Sequence, residues 1–393
     1  MRILKFVCCC ILIFGFCHYS SGQTSYAKYN LSSNYIESIF YDSDGKLWIG
    51  TDEGLNLITS HDQYQFLADI SDEKGLLDSE IFKLNDLKNG NLAAFSINGL
   101  SIFNPNEFNF KQVALKSKPV SIYFDINTDS YWITTEESGI VVLDAKFEIK
   151  KNFSFDPLNP LSVSSSRFKG ENKIVFNNQN AFVGTGNGFN IFNKEQQTFK
   201  RFYSGKNGLD SNLIIGLFKL DKESLLVATA NKMFLFDILS QRFKPLKLQI
   251  ENLNEIIQIS KTGFIFSSES DVYKIELSND FSLKKELIHD FKSKKPTRFK
   301  KIEEGILIFN QDLDYILKFD TKNKSISKYF IFSKINAVEK INSRLIIGTD
   351  LGVIEKSLFQ NIINTKKNDE DLFFYDNKYN YETRVYKLTI KIK

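Results

Sequence analysis

The chain has 393 residues, 42% hydrophobic, 25% charged and 14% aromatic, with only 6 Pro. That composition excludes a disordered protein, and 51 basic residues against 47 acidic ones, a net charge of +4, exclude a surface built for a polyanion, so no nucleic-acid partner is expected. A chain of this length buries roughly three quarters of its unfolded surface and needs no disulfide or metal to hold a core.

At the N-terminus Arg2 and Lys5 precede an apolar run from Phe6 to Cys17, followed by the small residues Ser20, Ser21 and Gly22. This order is expected of a secretory signal, residues 1–22, cleaved after Gly22; the run is shorter than the ~20 apolar residues a membrane span needs. The product is therefore expected in the periplasm or outside the cell, with no span after cleavage. All four cysteines, Cys8, Cys9, Cys10 and Cys17, lie in this segment, which leaves no thiol for a disulfide, a zinc site or a nucleophile. His61 and His289 stand apart from any metal-ligand spacing, so no metal and no cofactor are expected.

From about residue 30 the chain repeats. The clearest unit runs from Tyr35 to Asp42, turns at Asp44-Gly45, continues as Leu47-Trp48-Ile49-Gly50-Thr51, turns at Gly54, and ends in the aromatic segment up to Leu67. It reads as four short strands. Second strands recur at Asn91 to Phe95, Ser130 to Thr134, Ala181 to Thr185, Ser224 to Ala228, Gly263 to Ser267, Gly305 to Phe309 and Arg344 to Thr349. Eight repeats about 38 to 50 residues apart fit propeller blades. The continuous apolar second strands suit burial on both faces. Gly50 and Ala228 leave room for a close neighbour, and Gly54, Gly99, Gly139, Gly188 and Gly352 suit tight turns. Asp42 and Asp44 read as a turn rather than a calcium loop, which would require a later Glu.

The string Ser38-Ile39, Asp42, Asp44-Gly45-Lys46-Leu47-Trp48-Ile49-Gly50-Thr51 and Gly54-Leu55 resembles the two-component regulator propeller repeat, found in periplasmic sensor regions of bacterial hybrid two-component receptors. Asn34 and Gly208-Leu209-Asp210-Ser211-Asn212 are similar to that family's lead-in. The resemblance implies an all-β propeller of four-stranded blades and a ligand-sensing role. Such receptors usually carry two propellers, a β-sandwich, a membrane helix and a kinase, whereas these repeats are followed by about thirty residues with no kinase pattern.

Strand counting favours eight blades. The eighth repeat stops after its third strand, and Ser25 to Leu31 resembles the missing fourth, so the N-terminus is expected to close the ring. The alternative is seven blades plus one extra repeat. The propeller is expected over 23–360, with 361–393 a charged linker and a β tail, either the start of a truncated sandwich or strands added to the propeller edge.

Long connections between blades emerge on the face that also carries the turns between second and third strands, which makes that face and its channel mouth the expected ligand site. Candidate ligand-binding residues there are Asn34, Tyr35, Arg167, Asp210, Asn212 and Arg298, and Lys292, Lys294 and Lys295 form a small basic patch. No nucleophile elbow, phosphate loop or zincin motif is present, so no catalytic residue is assigned and the chain is not expected to be an enzyme. Three functions follow. The first is an exported sensor-type propeller that recognises an oligosaccharide or other periplasmic ligand and signals through a separate, membrane-bound sensor kinase. The second is an envelope scaffold that docks another protein. The third, a propeller hydrolase or lyase, requires carboxylates from different blades to converge in the channel.

Overall fold

A computed structural model describes residues 29–69, 71–205, 208–248, 250–269, 271–278, 282–290 and 297–358, with the short strands 25–26 and 387–391. The expected signal segment, the basic patch at Lys292, Lys294 and Lys295, and the linker after residue 358 lie outside the described residues.

The second strands are the anchors. They run Leu47–Thr51, Leu92–Ser96, Ser130–Thr135, Asn180–Thr185, Ser224–Thr229, Gly263–Ser268, Gly305–Phe309 and Arg344–Thr349, and each is buried along its length save at most an end residue. Each sits inside an antiparallel sheet, and in seven of the eight sheets the strands follow chain order. Side chains alternate along a strand, so successive residues enter different interfaces. Trp48 packs on blade 2 against Phe103, centroids 4.9 Å apart, whereas Ile49 packs on blade 8 with Ile346 and Val353. The result is eight hydrophobic clusters, one at each junction between neighbouring blades around the ring.

Eight blades is the observed number. In the eighth, Ile335–Ile341, Arg344–Thr349 and Gly352–Ser357 are completed by Ser25–Tyr26, with Ser25 opposite Glu355 and Tyr26 opposite Ile354. The first strand of blade 1, Ile36–Tyr41, lies against that of blade 8 on one side and that of blade 2, Lys83–Asp86, on the other. The first strands therefore surround the central channel. The segment Lys387–Lys391 adds a fifth strand to blade 7, antiparallel to Ser325–Phe330. A single 3-10 turn, Lys88–Gly90, is the only helical element among the described residues, and no described helix is long and apolar enough to cross a membrane.

Recurrent polar residues pin the turns. Asp42 accepts from the N–H groups of Asp44 (3.0 Å) and Lys46 (2.8 Å) with one oxygen and from Trp48 Nε1 (2.8 Å) with the other. The Asp-x-Asp-Gly-Lys-x-Trp string thus makes one closed turn. The hydroxyls of Thr51, Ser96, Thr135, Thr185 and Thr349 each donate to a carbonyl in the turn that follows, at 2.8–3.3 Å. Gly99 shows why glycine closes such turns. Its φ is +152°, and a Cβ there would stand 2.1 Å from the Val113 carbonyl of the fourth strand.

Candidate functional site

The channel mouth is built from one rung of the first strands. Ser38, Lys83, Ser121, Gly216, Glu255, Arg298 and Ala337 lie opposite Gly50, Phe95, Thr134, Ala228, Ser267, Phe309 and Gly348 respectively. In blade 4 the rung belongs to Lys173, whose carbonyl accepts from Gly184 N–H at 2.8 Å. Polar members of the rung reach forward to the start of the next blade. Ser38 Oγ donates to the Ile81 carbonyl (2.8 Å), Lys83 Nζ to that of Val120 (2.9 Å), Lys173 Nζ to those of Ile214 and Ile215 (both 2.6 Å), and Arg298 Nη1 to that of Asn336 (3.0 Å). Glu255 accepts from the Phe299 backbone N–H.

Blade 4 departs from its sisters. In blade 2, Ile81 N–H bonds the Thr51 carbonyl of the previous blade at 2.9 Å, and with only Phe82 between, the rung is reached at Lys83. In blade 4, Phe168 makes the same bond to Thr135 at 3.2 Å, but Lys169, Gly170, Glu171 and Asn172 intervene before Lys173. Three extra residues bend into the channel. Gly170 at φ +75° and Asn172 at φ +56° supply the left-handed backbone that the bend requires. Asn172 is held by blades 5 and 6, its carbonyl accepting from Leu217 N–H (2.7 Å) and its Nδ2 donating to the Ile256 carbonyl (3.3 Å). Glu171 reaches blade 2 and pairs with Lys83 at 2.7 Å, yet keeps 64% of its side-chain surface accessible. It stands in a channel open to solvent rather than in a core.

The mouth is therefore charged and its groups perturb one another. Lys83, with Lys300 adding, holds the Glu171 carboxyl below the usual range. Burial pushes Glu255 up to about 8; the Glu171 charge adds to this, while Arg298, the Phe299 N–H and Lys83 oppose it. Burial also pushes the Lys173 amine down to about 7. Glu37 is raised by burial and by Glu80, with Arg298 opposing. Further out, Lys300 pairs with Glu339 (2.6 Å) and Lys334 with Asp350 (3.3 Å). No group of His, Cys, Asp and Glu among the described residues has the arrangement to hold a metal.

Of the residues expected from sequence, Arg298 enters this chamber. Tyr35 lies beside it at the start of blade 1, with the Lys334 ammonium 5.9 Å from its ring. Asn34 and Arg167 are exposed on the rim. Asp210 and Asn212 use their side chains within the loops: Asp210 accepts from Thr229 Oγ1 (2.8 Å), and Asn212 accepts from Ser204 N–H (2.7 Å) and donates to Asn187 Oδ1 (3.1 Å). Glu37, Lys83, Glu171, Lys173 and Glu255 were not expected. Their signal is charge inside first strands that otherwise alternate apolar residues, and the overlong run from Phe168 to Ile174.

Residues 30–53 match the family model described as two-component regulator propeller. The fold is similar to an extracellular domain described as that of a hybrid two-component system of B. thetaiotaomicron, with TM-score 0.50 and 14% identity over 84% of this chain and 40% of that one. It is also similar to an extracellular domain described as that of a one-component system of the same organism, with TM-score 0.52 and 14% identity over 83% and 54%. A third similar structure is BamB of Moraxella catarrhalis, with TM-score 0.58 and 14% identity over 85% and 98%. The chain spans about half or less of the two B. thetaiotaomicron domains, and likeness at this identity establishes the fold alone. No curated protein matches the sequence. Residues 30–53 thus match the two-component regulator propeller repeat, and the same four-stranded pattern recurs in register around the ring.

Proposed function

We propose that this propeller is the ligand-binding module of an exported two-component signalling system, taking an oligosaccharide at the channel mouth and passing the signal to a membrane-bound sensor kinase. The observation that carries the reading is the chamber itself. Carboxylates and cations from blades 2, 4, 6 and 7, namely Lys83, Glu171, Glu255 and Arg298, meet at the mouth on the face of the long loops, where they offer acceptors and donors to hydroxyl groups. Loops around it are pinned by buried side chains: Asn56 Oδ1 accepts from Ser32 N–H, and Asn190 Oδ1 from Ser164 N–H, both at 2.8 Å. A rigid rim of this kind is suited to recognition.

The test is a thermal-shift screen of residues 23–393 against neutral and acidic oligosaccharides. A ligand at ~100 times its dissociation constant adds about 2.7 kcal/mol of apparent stability. A selective shift that disappears in Glu171→Gln supports the reading; a flat panel on cooperatively melting protein rejects it. Signalling further requires that the ligand prefer one of two states, so a kinase reporter completes the test.

A second reading, a protein-docking scaffold, is favoured by apolar side chains exposed on the same face: Ile97, Leu158, Leu161 and Leu351, from 54% to 92% accessible. The hydrolase or lyase reading gains one feature, a carboxylate kept ionised and another kept protonated on different blades, as acid and base roles require. Product release from the same oligosaccharides tests it.

A further inference from the structure

We propose that the chamber takes a ligand group bearing both an ammonium and a carboxylate, seated between Glu255 of blade 6 and Arg298 of blade 7. The inference rests on the ligand-sensing reading above and names the charged groups its ligand presents.

Lys83 is saturated, since it donates to Glu171 Oε1 (2.7 Å), to the Val120 carbonyl (2.9 Å) and to Ser121 Oγ (3.1 Å). Lys300 is matched by Glu339 (2.6 Å), and Lys334 by Asp350 (3.3 Å). Lys173 is buried and bonds the Ile214 and Ile215 carbonyls, which leaves two charges of the rung. Arg298 is exposed and bonds only a backbone carbonyl, that of Asn336, with no carboxylate in ion-pair reach among the described residues. Glu255 is half-buried, accepts from one backbone N–H, and likewise has no cation in ion-pair reach among the described residues.

These two occupy the same rung on adjacent first strands and feel each other's charge. They nonetheless remain apart. Three buried polar atoms on residues that neighbour them lack partners. Ser267 Oγ, opposite Glu255 in the sheet, Thr297 Oγ1, next to Arg298 in the chain, and Asn336 Oδ1, on the residue whose carbonyl Arg298 bonds, are buried and make no hydrogen bond. Their residues are 0%, 1% and 3% exposed. Buried polar atoms are nearly always satisfied, and a run of exceptions around one charge pair marks a binding site more readily than a core.

A zwitterionic group completes this arrangement. Its carboxylate meets the planar fork of Arg298, which suits bidentate contact. Its ammonium meets Glu255, with Glu37, which feels the Arg298 charge, and Glu171, which feels that of Glu255, adding negative potential at the mouth. Arrival of a cation favours the ionised form of Glu255, so binding at neutral pH releases a proton from that carboxyl.

The experiment is calorimetry on residues 23–393 with the twenty common amino acids as probes. It is then repeated with the N-acetyl and the amide derivatives of any that bind, and with neutral oligosaccharides. At least one free amino acid is expected to bind, with each derivative weakened tenfold or more and with a heat that varies with buffer ionisation. Arg298→Gln should bind the acid and its amide alike, and Glu255→Gln should bind the amine and its N-acetyl form alike. Arg298→Lys, which keeps the charge and loses the fork, covers the case in which Arg298→Gln does not fold. Equal binding of parent and derivatives overturns the proposal, as does binding of neutral oligosaccharides with no amino acid bound, which leaves the sensor reading standing. Silence in both panels removes both.

Discussion

Gly50 shows how tightly one atom is constrained where blades meet. It lies in the middle of a fully buried strand, and an added Cβ would stand 2.3 Å from Ser38 Oγ and 2.4 Å from the Ile81 carbonyl of the next blade. A hydroxyl can rotate away, but a backbone carbonyl moves only if blade 2 does. Gly50→Ala should therefore destabilise the protein by about 3 kcal/mol, near the upper end of overpacking costs. Gly186→Ala, where the nearest atom is 3.4 Å away at an ordinary φ, should change stability by less than about 0.5 kcal/mol. Urea denaturation of the two variants checks the contrast; similar losses would show that the blades yield at this junction. The small residue at position 50 was legible in the sequence because it recurs as Gly184, Ala228 and Gly348. The threonine beside it was legible only as part of the motif. Its task, a hydroxyl bond to the turn carbonyl, involves a partner three residues away that no periodicity reveals.

At the scale of the element, second and first strands differ in how far sequence describes them. Second strands are apolar on both faces, so their positions follow from composition to within a residue or two, and strand counting along the chain gave the correct number of blades. First strands face a neighbour on each side and the channel at their edge, so a charged residue there is ambiguous until the ring is closed. Glu255, Lys83 and Arg298 share a rung, a fact that depends on sheet register, while the three-residue insert of blade 4 becomes visible only when Phe168 and Lys173 are matched to their counterparts in blade 2. The folded rung has a titration consequence. The Glu255 carboxyl is raised to about 8 from an ordinary 4.5, so between those values the folded chain holds a proton that the unfolded chain has released. Stability must fall as pH rises through that window. Glu255→Gln lacks this slope. Its stability relative to the parent should rise from pH 4.5 to pH 8 and then level, by no more than about 5 kcal/mol. Lys173, lowered to about 7, adds an opposite slope above neutrality in both proteins and cancels in the difference. Melting curves of the pair across pH 4 to 9 measure it, and a constant difference would mean that Glu255 titrates like an exposed carboxylate.

At the scale of the whole molecule, stability rests on closing the ring. Every interior blade has its two faces covered by its neighbours, but blade 8 owes its outer strand to the opposite end of the chain, where Ser25 and Tyr26 pair with Glu355 and Ile354. Tyr29 hydrogen-bonds Glu355 and, with Leu31, packs on the cluster shared by blades 1 and 8. The closure joins residues more than three hundred positions apart and so cannot form before most of the ring is in place. A chain that begins at Leu31 keeps all eight second strands and seven complete sheets. It leaves Gly352–Ser357 as an unpaired edge and strips Tyr29 from the last junction. Its expected loss is about 2–4 kcal/mol from the missing hydrogen bonds and apolar contact, and it should be uneven. Hydrogen exchange should quicken first in Gly352–Ser357 and Arg344–Thr349, while Asn180–Thr185 on the far side of the ring keeps its protection until global unfolding. If exchange instead quickened equally in all blades, the ring would be one cooperative unit held shut at this seam; if it changed nowhere, closure would come from the hydrophobic junction between blades 1 and 8 and not from the shared strand.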